Sequence, residues 1–286
     1  MSSAKFPFYI QNRKAFLASA IFGMIILFAI YSYTAKNYQD RNSPYYSGNF
    51  AAETPKTVEI LTVVSYNIWF GLETDQALLE LKEINSQKEL DIVLLQEIDD
   101  VGVEKLARGL QMNYVYYPAA IEPIYDKNFG NAILSKWPIL DSHKLILPHK
   151  SLSNRMNRTA TRATIRAGGT HILIYSIHTE SIFTLPRFRE DQYRAVLQDI
   201  GTEDKLIIGG DFNSFAEQNV EEIEEIYTQA GFTRVSEDCG YTVIKYGIEV
   251  TTDHIFAKGF VVEETGKLAG ATASDHLPIW VTLKLK

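Results

Sequence analysis

The stretch Leu206-Ile-Ile-Gly-Gly-Asp-Phe-Asn-Ser214 reads as a buried strand that runs straight into polar chemistry. Three large apolar residues end on two glycines, which let a backbone approach a neighbour or ligand closely. Asp211 and Asn213 are two apart, so an extended chain aims both side chains the same way. A carboxylate placed there can orient a water for attack, and an amide beside it can hold that water or a phosphoryl oxygen. Asp, Asn and Gly are also what plain turns use, so the motif gains weight only from its position after the apolar run.

The same arrangement recurs along the chain. Asn67 ends VVSYN, Glu97 follows IVLLQ, Asn131 opens the apolar run GNAIL, and His178 ends ILIYSIH. Asp275 and His276 precede the alternating PIWVTL, and Asp253 and His254 precede another short apolar run. Open α/β sheets place their ligand crevices at strand ends. A carboxylate so close to the continuous apolar run 92–95 needs a partner, either a hard cation or, as an exposed loop residue, backbone amides. His276 pairs with Asp253 in this reading, since a carboxylate favours the protonated imidazole that suits a phosphate. His178 is placed to donate a proton to a leaving alcohol or to contact phosphate, with Glu180 or Glu97 orienting it. His254 is expected to pack against the domain or face solvent, and His143, His149 and His171 receive no role. Four arginines at 155, 158, 162 and 166 form either a phosphate- or headgroup-binding surface or a solvated face. Asn157-Arg158-Thr159 has the form of a glycosylation sequon.

Short apolar runs alternate with amphipathic stretches, which predicts an α/β or α+β domain rather than a helical bundle. Strands are expected at 58–66, 92–96, 132–134, 160–167, 171–177, 205–208, 254–256 and 279–285. Helices are expected at 75–87, 103–110, 185–200 and 217–230, the last two closed by Gly201 and Gly231 in left-handed conformation.

The 286 residues are 46% hydrophobic and 22% charged, an ordinary globular composition. One cysteine, Cys239, excludes an internal disulfide and a Cys-rich zinc site, so a metal must use oxygen or imidazole ligands. Residues 1–56 hold six basic and two acidic residues, leaving 22 basic against 33 acidic in 57–286, a body of about −11. That charge argues against a tight duplex binder, whose affinity comes from neutralising phosphates. Residues 15–33, AFLASAIFGMIILFAIYSY, carry no charge and follow Lys5, Arg13 and Lys14. At about 1.5 Å per residue they nearly span a bilayer core. They read as an uncleaved signal anchor in preference to a cleaved signal, because Tyr33-Thr34-Ala35 is a poor cleavage site, or to a core helix, because no polar face appears. The expected organisation is a cytoplasmic N-terminus at 1–14, a single transmembrane helix at 15–33, a linker at 34–56 and an extracytoplasmic domain at 57–286. Nothing points to a protein partner; the partner that segment 15–33 implies is the membrane.

Taken together and in this order, the motifs of 57–286 resemble the endonuclease/exonuclease/phosphatase superfamily of DNase I-like metal-dependent phosphohydrolases. The resemblance implies a four-layer sandwich, two mixed β-sheets face to face with helices outside, and a catalytic Mg²⁺, with Mn²⁺ as the alternative. By motif it makes Glu97 in LLQEID the direct metal ligand, served by Asn67 in SYNIW, with Asp275 beside the metal and water. Asp211 in GGDFNS aligns the attacking water next to Asn213. His276 in SDHLPI contacts the scissile phosphate with support from Asp253 in TTDHIF, His178 matches the mid-chain histidine, and Asn131 is the phosphate-side amide. The resemblance implies a phosphoester substrate (lipid headgroup, small molecule or nucleic acid), and the expected activity is hydrolysis of a phosphodiester outside the cytoplasm, a phospholipid headgroup or other soluble phosphoester first. A membrane-tethered nuclease and a non-catalytic binding module are the alternatives.

Overall fold

A computed structural model describes residues 16, 19–24, 33–52, 58–181, 184–214, 216–245 and 247–286. The strands are β1 Lys36–Asn37, β2 Tyr46–Gly48, β3 Ile60–Asn67, β4 Ile92–Ile98, β5 Asn113–Glu122, β6 Lys127–Ser135, β7 Ile139–Lys150, β8 Asn157–Ala167, β9 Thr170–His178, β10 Leu206–Asp211, β11 Thr233–Arg234, β12 Val243–Lys245, β13 Ile248–Val250, β14 Asp253–Lys258, β15 Phe260–Lys267 and β16 Ile279–Leu285. The helices are α1 Thr74–Lys88, α2 Asp100–Leu110, α3 Pro186–Asp199 and α4 Glu217–Gln229.

The strands form two mixed sheets. One runs β1-β5-β6-β4-β3-β16-β15, with β2 also on β5; the other runs β11-β14-β10-β9-β8-β7. Each has one parallel pair at its centre, β3 with β4 and β9 with β10. Period-two alternation explains the layering. On β4, Ile92 and Leu94 face the other sheet and pack with Ile174, Ile207 and Ile255, while Val93 and Leu95 face α1 and α2 through Leu81 and Leu106. On β10, Ile207 points between the sheets and Leu206 and Ile208 point to α3 and α4, meeting Val196, Ile223 and Tyr227. Two sheets each buried on both faces explain why the runs 92–95 and 206–208 are continuously apolar. The four-layer arrangement expected from the motifs is the one observed.

Boundaries differ where end chemistry decides them. The second helix begins at Asp100 rather than 103, because the Asp99 side chain caps it by accepting from the Gly102 amide at 2.6 Å. Gly231 is left-handed at φ 86°, but α3 ends as Ile200 turns extended, so Gly201 is no left-handed cap. The linker expected at 34–56 is corrected over its described part, 34–52. β1 and β2 extend the first sheet along β5, with Lys36 opposite Ile121 and Tyr46 opposite Tyr116, and Ala35 is buried. Backbone pairing on an edge strand needs no hydrophobic pattern, which is why this stretch resembled a linker. Residues 1–14 and most of 15–33 lie outside the described residues; among those described, no helix is long and apolar enough to cross a membrane.

Candidate active site

The parallel centres of the two sheets end side by side, and their last residues meet. In the first sheet Asn67 closes β3, and Glu97 sits in an irregularity of β4 between Leu95 and Ile98, where its φ of 57° turns the side chain from the helix face toward the sheet end. Gln96, fully buried, fastens the adjoining turn by donating to Ser176 Oγ across the sheet interface at 3.0 Å. In the second sheet Asp211 and His178 are register partners at the ends of β10 and β9, and Asp253 is the antiparallel partner of Asp211 on β14. Register thus presents three of the groups in a row.

Two glycines permit this closeness. A Cβ on Gly210, whose φ is 150°, would lie 1.9 Å from the Ile177 carbonyl oxygen. A Cβ on Gly209 would lie 2.6 Å from the Leu94 side chain of the opposite sheet.

Asp211 Oδ2 is the hub. It accepts from Asn67 Nδ2 at 3.1 Å and lies 3.6 Å from His178 Nε2 and 3.8 Å from His276 Nε2. Its other oxygen accepts the Asn213 amide at 2.8 Å, while Asn213 Nδ2 donates to the Thr179 carbonyl at 3.1 Å. Asn67 Nδ2 also donates to Glu97 Oε1 at 3.2 Å, and Asn67 Oδ1 accepts from the Trp69 amide. In this arrangement Asn67 holds the two carboxylates and spends its oxygen on the following loop, so it serves a metal through Glu97. His276 Nδ1 meets Asp253 Oδ2 at 2.8 Å, and that oxygen also accepts from Thr242 and Thr252 hydroxyls at 2.6 and 3.1 Å. His254 packs between Phe212 and Phe256. Asp275, half-buried, interacts electrostatically with both Glu97 and His276. Asn131 stands one strand away, its amide donated to the Thr159 carbonyl at 2.6 Å; Thr159 is the register partner of His178.

The arginine stretch divides by position along the chain rather than forming one surface. Arg155 and Arg166 are exposed and Arg162 is half-buried against Asp141, but Arg158 is buried and donates to His178 Nε2 at 3.2 Å. Its Nε lies 3.6 Å from Glu180 Oε2, so Glu180 orients Arg158 and reaches His178 only through it. Nothing in RTATRATIR distinguishes Arg158 from Arg162 or Arg166, which share its strand face. The Asn157 side chain is buried and donates to the Tyr38 carbonyl, so the sequon cannot take a glycan in this fold.

Burial pushes Glu97 above its ordinary range, against the pull of His276 and Asn67. It also pushes Asp211 up, His276 opposing and Asp253 reinforcing the rise. His178 falls well below its ordinary value through burial, then through the Arg158 and His276 charges, and is a neutral imidazole accepting from Arg158. For His276 burial works against the cation, but Asp253 and Asp211 overcome it and hold it up at about 10. The folded pKa of His276 thus lies above its unfolded value near 6.5. The stability it contributes is complete below pH 6.5 and lost as pH rises through about 10. In EDTA, the melting temperature is expected to fall across that window, and a His276→Gln variant should show a flatter profile by differential scanning fluorimetry.

A divalent metal fits this site. Glu97 Oε2 is buried without a hydrogen-bond partner among the described residues, and ligand atoms of Glu97, His178 and Asp211 lie within 4.8 Å of one another. An oxygen-rich donor set of this kind suits a hard cation. With His178 Nε2 engaged by Arg158, Glu97 and Asp211 are the residues left to hold it.

The sequence profile of the Endonuclease/Exonuclease/phosphatase family matches residues 64–276. A comparison with curated proteins finds no match. Among solved structures, an endonuclease/exonuclease/phosphatase from Beutenbergia cavernae superimposes with a TM-score of 0.66 at 18% identity, covering 80% of this chain and 72% of that one. D. rerio TDP2 complexed with single strand DNA product gives 0.64 at 20%, covering 79% and 99%. The human Nocturnin catalytic domain with bound sulfate anion gives 0.62 at 20%, covering 80% and 97%. These likenesses show the shared fold. The profile match spans most of the chain and includes every strand end described above, and the chain therefore belongs to the endonuclease/exonuclease/phosphatase family of metal-dependent phosphoester hydrolases.

Proposed function

We propose that this chain is a Mg²⁺-dependent phosphodiesterase that acts outside the cytoplasm on a phospholipid headgroup or another soluble phosphoester. The observation that carries this reading is the convergence on Asp211 Oδ2 of Asn67, His178 and His276, beside the unpartnered Glu97 oxygen. Asp211, desolvated and inclined to take a proton, orients the attacking water with Asn213 alongside. His276, kept cationic by Asp253, neutralises charge on the non-bridging phosphate oxygens. Buried Arg158 supplies a second fixed positive charge next to neutral His178, on the side where Asn131 lies. A metal held by Glu97 and Asp211 would add Lewis-acid stabilisation of the phosphoryl oxygens.

The acidic body favours a headgroup or small phosphoester over duplex DNA. A nuclease is the second reading, since the same groups suit any phosphodiester and TDP2 carries single-stranded DNA on this fold. A binding module without catalysis would have no use for a carboxylate and an imidazolium held 3.8 Å apart in a buried site.

The test is hydrolysis by the detergent-solubilised full chain of bis(p-nitrophenyl) phosphate, sphingomyelin, lysophospholipid, inositol phosphates, DNA and RNA, with Mg²⁺ or EDTA. Turnover is expected only with metal. Glu97→Gln should raise the Mg²⁺ concentration for half-maximal rate on the order of 10- to 100-fold or more. Equal turnover in EDTA, or an unchanged Mg²⁺ requirement in Glu97→Gln, would contradict the assignment.

A further inference from the structure

We infer that the mouth of the active site is itself the membrane-contacting surface, so that the enzyme takes its phosphodiester from lipid headgroups of the bilayer in which it is anchored. The inference rests on the hydrolase and anchor readings above and goes beyond them in assigning an orientation and a docking face.

Three observations carry it. The first is where the chain enters the domain. β1 runs antiparallel to β5, and β5 is parallel to β3 and β4 by way of β6, so residues 33–35 lie at the sheet end that carries Asn67 and Glu97. Ala35 donates its amide to the Asn154 carbonyl, and Asn37 donates to the Arg155 carbonyl at 2.8 Å, pinning the entry to the β7–β8 turn. Ala35 also packs with Phe129, whose ring centroid is 6.0 Å from that of His178.

The second is the absence of slack. The uncharged run ends at Tyr33, and strand pairing begins at Lys36. Three residues of extended chain reach at most about 10 Å. A segment spanning the bilayer up to Tyr33 therefore holds this end of the domain against the headgroups.

The third is the composition of the rim. Trp69, directly after the site strand β3, is 45% exposed, Ile124 58%, Tyr125 40% and Leu152 55%. They come from three different loops, and each loop also sends a residue to one apolar cluster: Phe70 packs on Tyr125 and Phe129, and Met156 joins Phe129 and Ala35. Consecutive left-handed residues, Trp69 at φ 42° and Phe70 at φ 58°, turn one ring outward and the other inward. Exposed Trp and Tyr beside aliphatic residues suit the boundary of headgroups and acyl chains.

Trp137 and Trp280 are buried at 1% and 9%, so Trp69 is the tryptophan a lipid can reach. The full chain, reconstituted in phosphatidylcholine vesicles containing sphingomyelin, is to be compared with and without brominated lipid, alongside Trp69→Gln and the double variant Ile124→Asp/Leu152→Asp. Expected is quenching of wild-type fluorescence that disappears in Trp69→Gln. The double variant should turn over vesicle sphingomyelin at least tenfold more slowly while hydrolysing bis(p-nitrophenyl) phosphate within twofold of wild type. Unquenched Trp69 in vesicle-bound protein, or failure of the chain to float with vesicles, would overturn the docking face. Cleavage of an oligonucleotide with lipids untouched would overturn the substrate class. No hydrolysis of the soluble diester would instead remove the hydrolase reading, whatever the quenching.

Discussion

Asp211→Asn is expected to lower turnover about 10³-fold or more with only a small change in thermal stability. General-base contributions run to about 10²–10⁴-fold, and here the same carboxylate is also one of two residues available to hold a metal. The stability half of the expectation follows from the pKa shift. Burial and Asp253 disfavour the ionised carboxylate in the fold, so a neutral isostere removes a desolvation cost along with the attraction to His276. Asn at 211 can still accept the Asn213 amide that Asp211 Oδ1 accepts now, but its own amide then faces the Asn67 amide that Oδ2 accepts, which offsets part of that gain. Rates on bis(p-nitrophenyl) phosphate and melting curves with EDTA read the two halves separately. A variant retaining a tenth of wild-type turnover would take Asp211 out of the reaction.

Gly210→Ala should be the most damaging single-atom-scale change in the chain. The added methyl would overlap the Ile177 carbonyl, a backbone atom in a parallel pair that cannot rotate away. Overpacking a core costs about 1–3 kcal/mol even when side chains can yield, so about 3 kcal/mol or more is expected. For a domain of this size that lowers the melting temperature by roughly 6–12 °C. The next register pair is Asp211 with His178, so prising β9 from β10 also widens the site. Turnover measured well below the melting temperature should therefore drop as well. A variant with wild-type melting and rate would mean that β9 and β10 leave room for a methyl group at this pair.

Much of this was legible in the residues. Continuous apolar runs at 92–95 and 206–208 announced strands covered on both faces, and the polar residue at the end of each run marked the sheet edge where the site forms. The pairing of Asp253 with His276 was readable from chemistry alone. What escaped has local physical reasons. Glu97 itself was legible, but the left-handed irregularity of β4 that aims it at the site was not, because no glycine or turn motif marks the position. Arg158 was hidden among three other arginines, and what separates it from Arg162 and Arg166 on the same strand face is its place at the end of β8 beside His178, which only the fold reveals. β5 carries four aromatic or polar residues before Pro118, and β7 sets its one apolar triplet, Leu145 to Leu147, among polar residues, so neither shows the alternation or sustained apolar run of a core strand. β1 and β2 are two and three residues long, too short for any period to show.

The division of the site between the sheets makes activity a gauge of how the halves of the molecule sit together. Asn67 and Glu97 come from one sheet, and His178, Asp211 and Asp253 from the other, joined by hydrogen bonds such as Gln96 to Ser176 at 3.0 Å and Asn67 to Asp211 at 3.1 Å. Each sheet keeps its own strands and its own covering helices if that seam loosens. A slightly expanded form would retain its far-ultraviolet circular dichroism and yet be inert, so catalytic rate will report a loosened seam before spectroscopy does.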